Sequence, residues 1–588
     1  LRLVFDLEAN GLYYDASRIH CLVAKDIDTG DLHKFGPDKV EHGLKLLMQA
    51  ELLIGHNVIA YDLPLISKLY TWFAIPRERV VDTLVLSRLI FTDLSDRDYQ
   101  SRAQMEGKLI GSHSLRAWGL RLDILKGDYQ GGFENFSEEM LAYNVQDVVV
   151  TERLYETLSK HEALSERASV LEHEVAHIVA QQERQGFTFN VKAAEELTAR
   201  LQIRRGELEQ KLQDTFQPWE EVVGEFIPKV NNKARGYVKG EPILKTKTVV
   251  FNPGSRHHIA NRLKAFHNWV PKEFTPDGRA KVDESVLEKL PYPEAKLLTE
   301  YLMVQKRLGM LAEGNNAWLK MVKENGRIHG EVITNGAVTG RATHRNPNVA
   351  QVPAVGALYG KECRSLFGTP RDRVLVGVDV SGLELRMLAH FMSSYDGGKY
   401  GKEVVDGDVH TANQKAAGLE TRNQAKTFIY AFLYGAGNEK IGSIVGKKAS
   451  HGKVLRERFL ERTPAIARLV HDVQRAAKRG YLLGLDGRRL HIRSEHAALN
   501  TLLQSAGALV CKQWMVEVDR MLTVKQWSHR VQQVAWVHDE CQFECDPEIA
   551  EEFGKECVEC IAKAGEAFNI SLPLTGEYKI GKNWAETH

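Results

Sequence analysis

Asp6 and Glu8 stand two residues apart in the apolar run "LVFDLEA". In a strand that spacing turns both carboxylates to one face, where they repel unless water or a divalent cation separates them. Alone, the pair also fits a solvated strand end. Two further acids follow. Asp62 closes "GHNVIAYD", just after the apolar run Leu52-Leu53-Ile54 and near a helix start. Asp147 follows Tyr143 by four residues in "YNVQD", a spacing that puts both on one helix face.

A second set lies further along. "VLVGVDVSGLELR" brings a buried, parallel-looking strand to its end at Asp379, which on its own reads equally as a helix N-cap. Then "VAWVHDECQFEC" interrupts another apolar run with His538, Asp539 and Glu540. Unpaired charge in a core is costly, so this is either a hairpin tip in water or a place where acids hold a cation. Between the two lies "RNQAKTFIYAFLYG", with Arg422, Lys426, Tyr430 and Tyr434 at intervals of four. On a helix the row drifts only about 40° per step and runs roughly 18 Å along one face. Two cations followed by two rings form a template for a nucleoside triphosphate: the cations meet phosphates, the rings meet sugar and base.

The elements that must position these groups follow from composition and pattern. At 588 residues the chain is too long for one core and predicts three to five domains or subdomains. Its 43% hydrophobic and 26% charged content is that of an ordinary soluble globular protein, with no apolar run long enough for a membrane span. Seven cysteines form no disulfide framework and suit a reducing cytoplasm; Cys557 and Cys560 read as two helix positions. A net charge of +1 means that any polyanion site must be a local patch. Residues 1–155 alternate short apolar runs with helical patterns, an α/β layout. Residues 160–215 read as long helix, and 405–480 as mostly helical; strand signals fall at 327–334, 374–380 and 531–545. Residues 216–249 read as an irregular insertion, with Lys229, Lys233, Arg235, Lys239, Lys245 and Lys247 clustered among turn formers.

The order D-x-E, H-N-x-x-x-Y-D, Y-x-x-x-D resembles the DEDDy type of 3′–5′ exonuclease domain. The segments around Asp379, Arg422 to Tyr434 and Asp539 resemble motifs A, B and C of the family A DNA polymerases. "FIYAFLYGAGNEKIGSIVG", "NTLLQSAGAL" and "DTLVLSRL" are similar to the podophage replicative branch of that family. The resemblance implies a multidomain α/β fold: an RNase H-like exonuclease domain (1–158) and a right-hand polymerase. The latter divides into thumb (159–326, with the short insertion), first palm part (327–404), fingers (405–485) and second palm part (486–588).

It also implies chemistry. Asp6, Glu8, Asp62 and Asp147 would bind two Mg²⁺ or Mn²⁺ ions about 4 Å apart for phosphodiester hydrolysis, with Tyr143 orienting the attacking water. His56 and Asn57 would support the loop or the nucleotide, and Asp82 and Thr83 read as structural. Asp379 and Asp539 would bind the two Mg²⁺ ions of nucleotidyl transfer, with Glu540 an outer partner or a structural acid. Lys426 would neutralise the transferred phosphate or protonate pyrophosphate, Arg422 would grip the γ-phosphate of a dNTP, and His410 would touch the β-phosphate. Glu384 is the expected steric gate against a ribose 2′-hydroxyl. Tyr434 would stack near the template base, and Tyr430, where many relatives have Phe, implies ready acceptance of dideoxynucleotides. Arg341, Gln351, Gln504, His538, Lys306 and Arg307 are the expected contacts to primer–template DNA. A replisome helicase-primase is a candidate partner. The podophage enzymes bind host thioredoxin through a longer thumb insertion, so weak or no thioredoxin dependence is expected here. A monomer in the cytoplasm of an infected bacterial cell is expected.

Overall fold

The computed structural model describes residues 1–101, 105–124 and 129–588. They form two compact units: residues 1–187, 329–351 and 369–588 make the first, and 188–328 with 352–368 the second.

The first unit opens with a five-stranded sheet in the order β3-β2-β1-β4-β5, formed by β1 (Arg2–Ala9), β2 (Ile19–Asp26), β3 (Leu32–Phe35), β4 (Leu52–Gly55) and β5 (Val80–Asp82). β1 runs antiparallel to β2 and parallel to β4. Apolar residues of β1 face cores on both sides of the sheet: Leu3, Phe5 and Leu7 on one, Val4 on the other. Helices α1 (Asp62–Leu69), α2 (Thr83–Ile90) and α3 (Glu138–Ser159) follow strands or cover them.

The stretch expected as one long helix from 160 to 215 is two. α4 (Glu166–Gln185) stops at Gly186 and α5 (Val191–Thr215) starts in the second unit. Gly186 has φ +68°, a conformation that is cheap only for glycine. A Cβ there would also meet the His329 ring. α4 belongs to the first unit, where Leu171, Val175, Ile178 and Val179 share one core with Val376, Val378, Val531 and Trp536. The second unit begins at 188 and takes in 352–368 as well.

In the second unit, residues 216–249 are not irregular. β6 (Trp219–Phe226) and β7 (Ile243–Val249) pair as an antiparallel ribbon. The signal was the alternation of Lys245 and Lys247 with Thr246 and Thr248, a period of two. Gly224 sits at a register shift in β6, but most of the turn formers lie at the tip. There Asn232 and Tyr237 exchange backbone hydrogen bonds, and Lys239 N–H donates to Asn231 Oδ1 at 2.7 Å. Helix α6 (Pro293–Leu308) lies in the same unit.

A four-stranded sheet in the first unit has the order β9-β10-β8-β11, where β8 is Val374–Val380, β9 Val531–Val537, β10 Glu540–Cys545 and β11 Gly576–Gly581. The parallel reading of β8 is wrong: it runs antiparallel to both neighbours. Its apolar run reflects burial of Leu375, Val376 and Val378, not strand direction. Around this sheet lie α7 (Leu383–Asp396), α8 (Val409–Ala417), α9 (Arg422–Leu433), α10 (Ala498–Val524) and α11 (Ala550–Ala567), sharing one core with it. Among the described residues no helix is long and apolar enough to cross a membrane.

Candidate active sites

In the first carboxylate set, β1 delivers Asp6 and Glu8, and α3 delivers Asp147 one turn after Tyr143. Oxygens of Asp6, Glu8 and Asp147 lie within 4.8 Å of one another. The strand and helix are locked together by the buried Asn144. With its amide oriented to satisfy both ends, it donates to Asp6 O at 3.1 Å and accepts from Glu8 N–H at 3.3 Å. Three carboxylates so close suit a hard divalent cation. Asp62 is the first residue of α1 and stands outside that trio. Burial, and then the charges of Asp82 and Glu8, push its carboxyl well above the usual range.

The loop that delivers Asp62 is tied to Asp82. This side chain caps α2 by accepting from Leu84 N–H, and also accepts from Asn57 N–H at 2.8 Å and Ile59 N–H at 3.1 Å. Thr83 donates its hydroxyl to Gly55 O, so it accepts from His56 Nδ1 at 2.8 Å. The loop-supporting reading of His56, and the structural one of Asp82 and Thr83, match this geometry. Beside Tyr143 an open cleft is lined by Tyr129, Asn135, Phe136, Glu139 and Gln146. The Tyr129 ring lies 5.7 Å from that of Tyr143, a contact no spacing rule announces.

The second set gathers at the four-stranded sheet. Asp379 is on β8. Asp539 sits in the turn between β9 and β10, where its carbonyl accepts from Val380 N–H at 3.0 Å. The turn is possible because His538 adopts φ +58°. Neither aspartate has an ion-pair partner among the described residues. Burial, then Glu384 and Asp379, push the Asp539 carboxyl up to about 6; burial and then Glu540 raise Asp379. Acids held close with no cation partner fit bound divalent cations. A cavity beside Asp539 is lined by Arg341, Glu384, Gln504 and His538, four other residues singled out from the sequence. Gln351, exposed at the end of a short helical turn, is not part of that lining.

Glu540 pairs in register with Asp379 but is a structural acid. One of its oxygens accepts from Trp584 Nε1 and from Gln542 at 2.6 Å, and the other meets His588 at 2.7 Å. Burial opposes its ionisation, yet His588, Trp584 and Gln542 together hold the carboxyl below the usual range. Of the two expected readings, outer partner or structural acid, these contacts favour the structural one.

The row at intervals of four lies on one helix up to its last member. Thr421 and Gln424 form a capping box at the start of α9. Ala425, Phe428, Ile429 and Phe432 bury one face, leaving Arg422 and Lys426 exposed and Tyr430 half-buried. Tyr434 falls one residue past the helix end. Its hydroxyl donates to Glu384 Oε1 at 3.1 Å. Arg422 is ion-paired with Asp408 at 2.8 Å. His410, on α8, has its ring 6.3 Å from Tyr430, and its buried Nδ1 has no partner among the described residues. Burial, then Glu384 and Asp539, raise the Tyr430 phenol, so the row's third residue neighbours the acids.

On α6, Lys306 is exposed as expected. Arg307 is not a surface contact: it is 4% exposed and donates through Nε to Leu358 O at 3.1 Å. The helix turns adjacent residues about 100° apart, so one faces water and the other the core.

Residues 239–586 match the model described as DNA polymerase family A. The chain belongs to that family and is a DNA-directed DNA polymerase. It is similar to the DNA-directed DNA polymerases of Enterobacteria phage T3 and Escherichia phage T7, at 42% identity in each case with all of both chains covered. The alignment to the former spans 707 positions against the 588 residues here, so that relative carries insertions this chain lacks. Among solved structures, the POL domain of Pol1 from M. smegmatis, in complex with DNA primer-template and dNTP, has the same fold. Its TM-score is 0.76 at 19% identity, covering 100% of this chain and 96% of that one.

Proposed function

We propose that this polymerase also proofreads, through a 3′–5′ exonuclease centred on Asp6, Glu8, Asp62 and Asp147. The observation that carries the reading is the convergence of three of these acids within 4.8 Å beside Tyr143. Asp6, Glu8, Asp62 and Asp147 would hold one pair of Mg²⁺ ions and Asp379 and Asp539 another, with Mn²⁺ as substitute; bound there, the ions would supply Lewis acidity and neutralise phosphate charge.

In degradation, the Tyr143 hydroxyl orients the attacking water, and Asn144 keeps Asp6 and Glu8 in place. In synthesis, the primer 3′-hydroxyl attacks the α-phosphate of a dNTP in line and pyrophosphate leaves. Lys426 offsets the charge that develops there or gives its proton to pyrophosphate. Arg422 exchanges Asp408 for the γ-phosphate, and His410 meets the β-phosphate. Tyr434 releases Glu384 and stacks near the template base. Glu384 fills the space of a 2′-hydroxyl, while Tyr430 tolerates dideoxynucleotides. Arg341, Gln351, Gln504 and His538 contact primer–template, Gln504 through minor-groove acceptors that all base pairs share. Lys306 binds phosphate, as does the cationic ribbon 216–249, in place of a thioredoxin dock. The chain works as a monomer in an infected bacterial cell, alongside a helicase-primase.

A 5′-labelled primer with a mismatched 3′ end tests the exonuclease reading. We expect removal of the mismatch before extension, and shortening when dNTPs are withheld. Extension of the mismatch without prior removal would sink it. Thioredoxin added under a DNA trap is expected to leave product length unchanged; longer products would overturn the ribbon's assignment.

A further inference from the structure

The geometry points to His173 as a positioning residue for the exonuclease centre, acting through Asp82 on the loop that delivers Asp62. The inference rests on the exonuclease reading above and goes beyond it: no acid of that centre touches His173, and α4, which carries it, is part of the polymerase core.

His173 is 8% exposed. Its Nε2 accepts from the backbone N–H of Asp82 at 2.9 Å, and its Nδ1 lies 2.7 Å from Ser169 O. A backbone N–H can only donate and a carbonyl can only accept. The ring is therefore neutral, with its proton on Nδ1. The residue it holds, Asp82, uses both carboxylate oxygens on the backbone of Asn57 and Ile59. Those residues precede Asp62 by three to five positions. Asp82 thus sets part of the frame from which Asp62 projects, alongside the His56–Thr83 contact.

What anchors His173 is the residue before it. Glu172 is fully buried and meets Lys512 at 2.5 Å and Arg488 at 2.7 Å. Arg488 in turn forks onto Asp486 at 2.7 Å. Lys512 lies on α10, the helix whose Gln504, Ala508 and Cys511 line the polymerase cavity. Two buried acids and two buried bases compensate one another, and removing one partner would leave a buried charge. Such a cluster gives α4 a single register against the palm. From that register His173 grips the start of α2. The far end of α2 is gripped as well: Arg488 donates to Asn335 Oδ1 at 3.2 Å, and Asn335 donates to Arg88 O at 2.8 Å. The polymerase core thus holds both ends of the helix that caps the Asp62 loop.

The test compares His173→Leu, which removes the acceptor, with His173→Gln, whose amide oxygen can occupy the place of Nε2. Three quantities are read in the full-length chain: degradation of a single-stranded 3′ end, primer extension, and Mn²⁺ binding followed by electron paramagnetic resonance without DNA. His173→Leu is expected to lower the turnover of degradation about tenfold or more and to weaken Mn²⁺ binding at the exonuclease centre to a similar degree. Its KM for single strands and its primer extension should hold. His173→Gln should recover most of both losses. Unchanged degradation and Mn²⁺ affinity in His173→Leu would overturn the inference, as would His173→Gln being as impaired as His173→Leu. Wild-type protein that degrades no DNA would instead remove the exonuclease reading itself, and the inference with it.

Discussion

Asp6, Glu8 and Asp147 are carried by a strand and a helix whose backbones are pinned together by Asn144. Asp379 lies on β8 and Asp539 in the neighbouring β9–β10 turn, but the groups proposed to join them are engaged elsewhere. Arg422 is on Asp408, and the Tyr434 hydroxyl is on Glu384. Three of the four acids of the proposed first centre already converge without substrate. On the proposed reading the second would need an exchange of partners, in which triphosphate replaces Asp408 and template replaces Glu384. That difference suits the two tasks. Hydrolysis of a frayed end needs no choice among substrates, whereas synthesis gains selectivity when only a correct pair drives the closing step.

The largest effect that would sharpen this contrast comes from the fingers. Lys426→Met should lower the rate of nucleotide addition by about a hundredfold or more, the usual worth of a placed proton donor. Degradation should be untouched, as single-turnover assays of both reactions would reveal. Glu384→Ala removes both the gate and the Tyr434 partner. Ribonucleotide use relative to dNTP should rise by roughly tenfold or more, measured by competing the two substrates. Arg422→Ala should raise KM for dNTP about tenfold, the lower end of the ~1.5–3 kcal/mol of a charge-assisted hydrogen bond, because Asp408 competes with the triphosphate. An unchanged KM would mean that the exchange does not occur.

The smallest effect separates two neighbours on α6. Lys306→Ala should lower the slope of log affinity against log salt by about one, as expected for one lost phosphate contact. Arg307→Met should leave that slope alone and lower the melting temperature instead, because it orphans the Leu358 carbonyl in a buried place. Swapped outcomes would restore the reading of Arg307 as a DNA contact.

These cases also mark how far the sequence could be read. Acids two apart on a strand, or four apart from a tyrosine on a helix, announce their shared face, because local geometry fixes it. The fingers row was legible for the same reason until Tyr434, which lies past the last helical residue. Direction and partner were not legible. The apolar run of β8 looked parallel since burial on both faces erases alternation. Whether Glu540 was an outer partner or a structural acid was left open, because Trp584 and His588, which take its oxygens, lie far along the chain. Arg307 differs from Lys306 only in which side of one helix meets a core. Glu172, Asp486, Arg488 and Lys512 were invisible, since each reads as an ordinary surface charge until the fold buries all four together. Local spacing shows which groups can act; the long-range partners decide which of them do.

The claim that one chain carries two separable centres is tested most directly by following a single 5′-labelled primer in two variants side by side. Asp6→Ala with Glu8→Ala should cut degradation at least about a thousandfold, the several kcal/mol that bound ions contribute. Extension should stay within about twofold, because distant sites act independently. Asp539→Ala should do the reverse. If either variant lost both activities while remaining folded and DNA-bound, the two-centre account would be wrong.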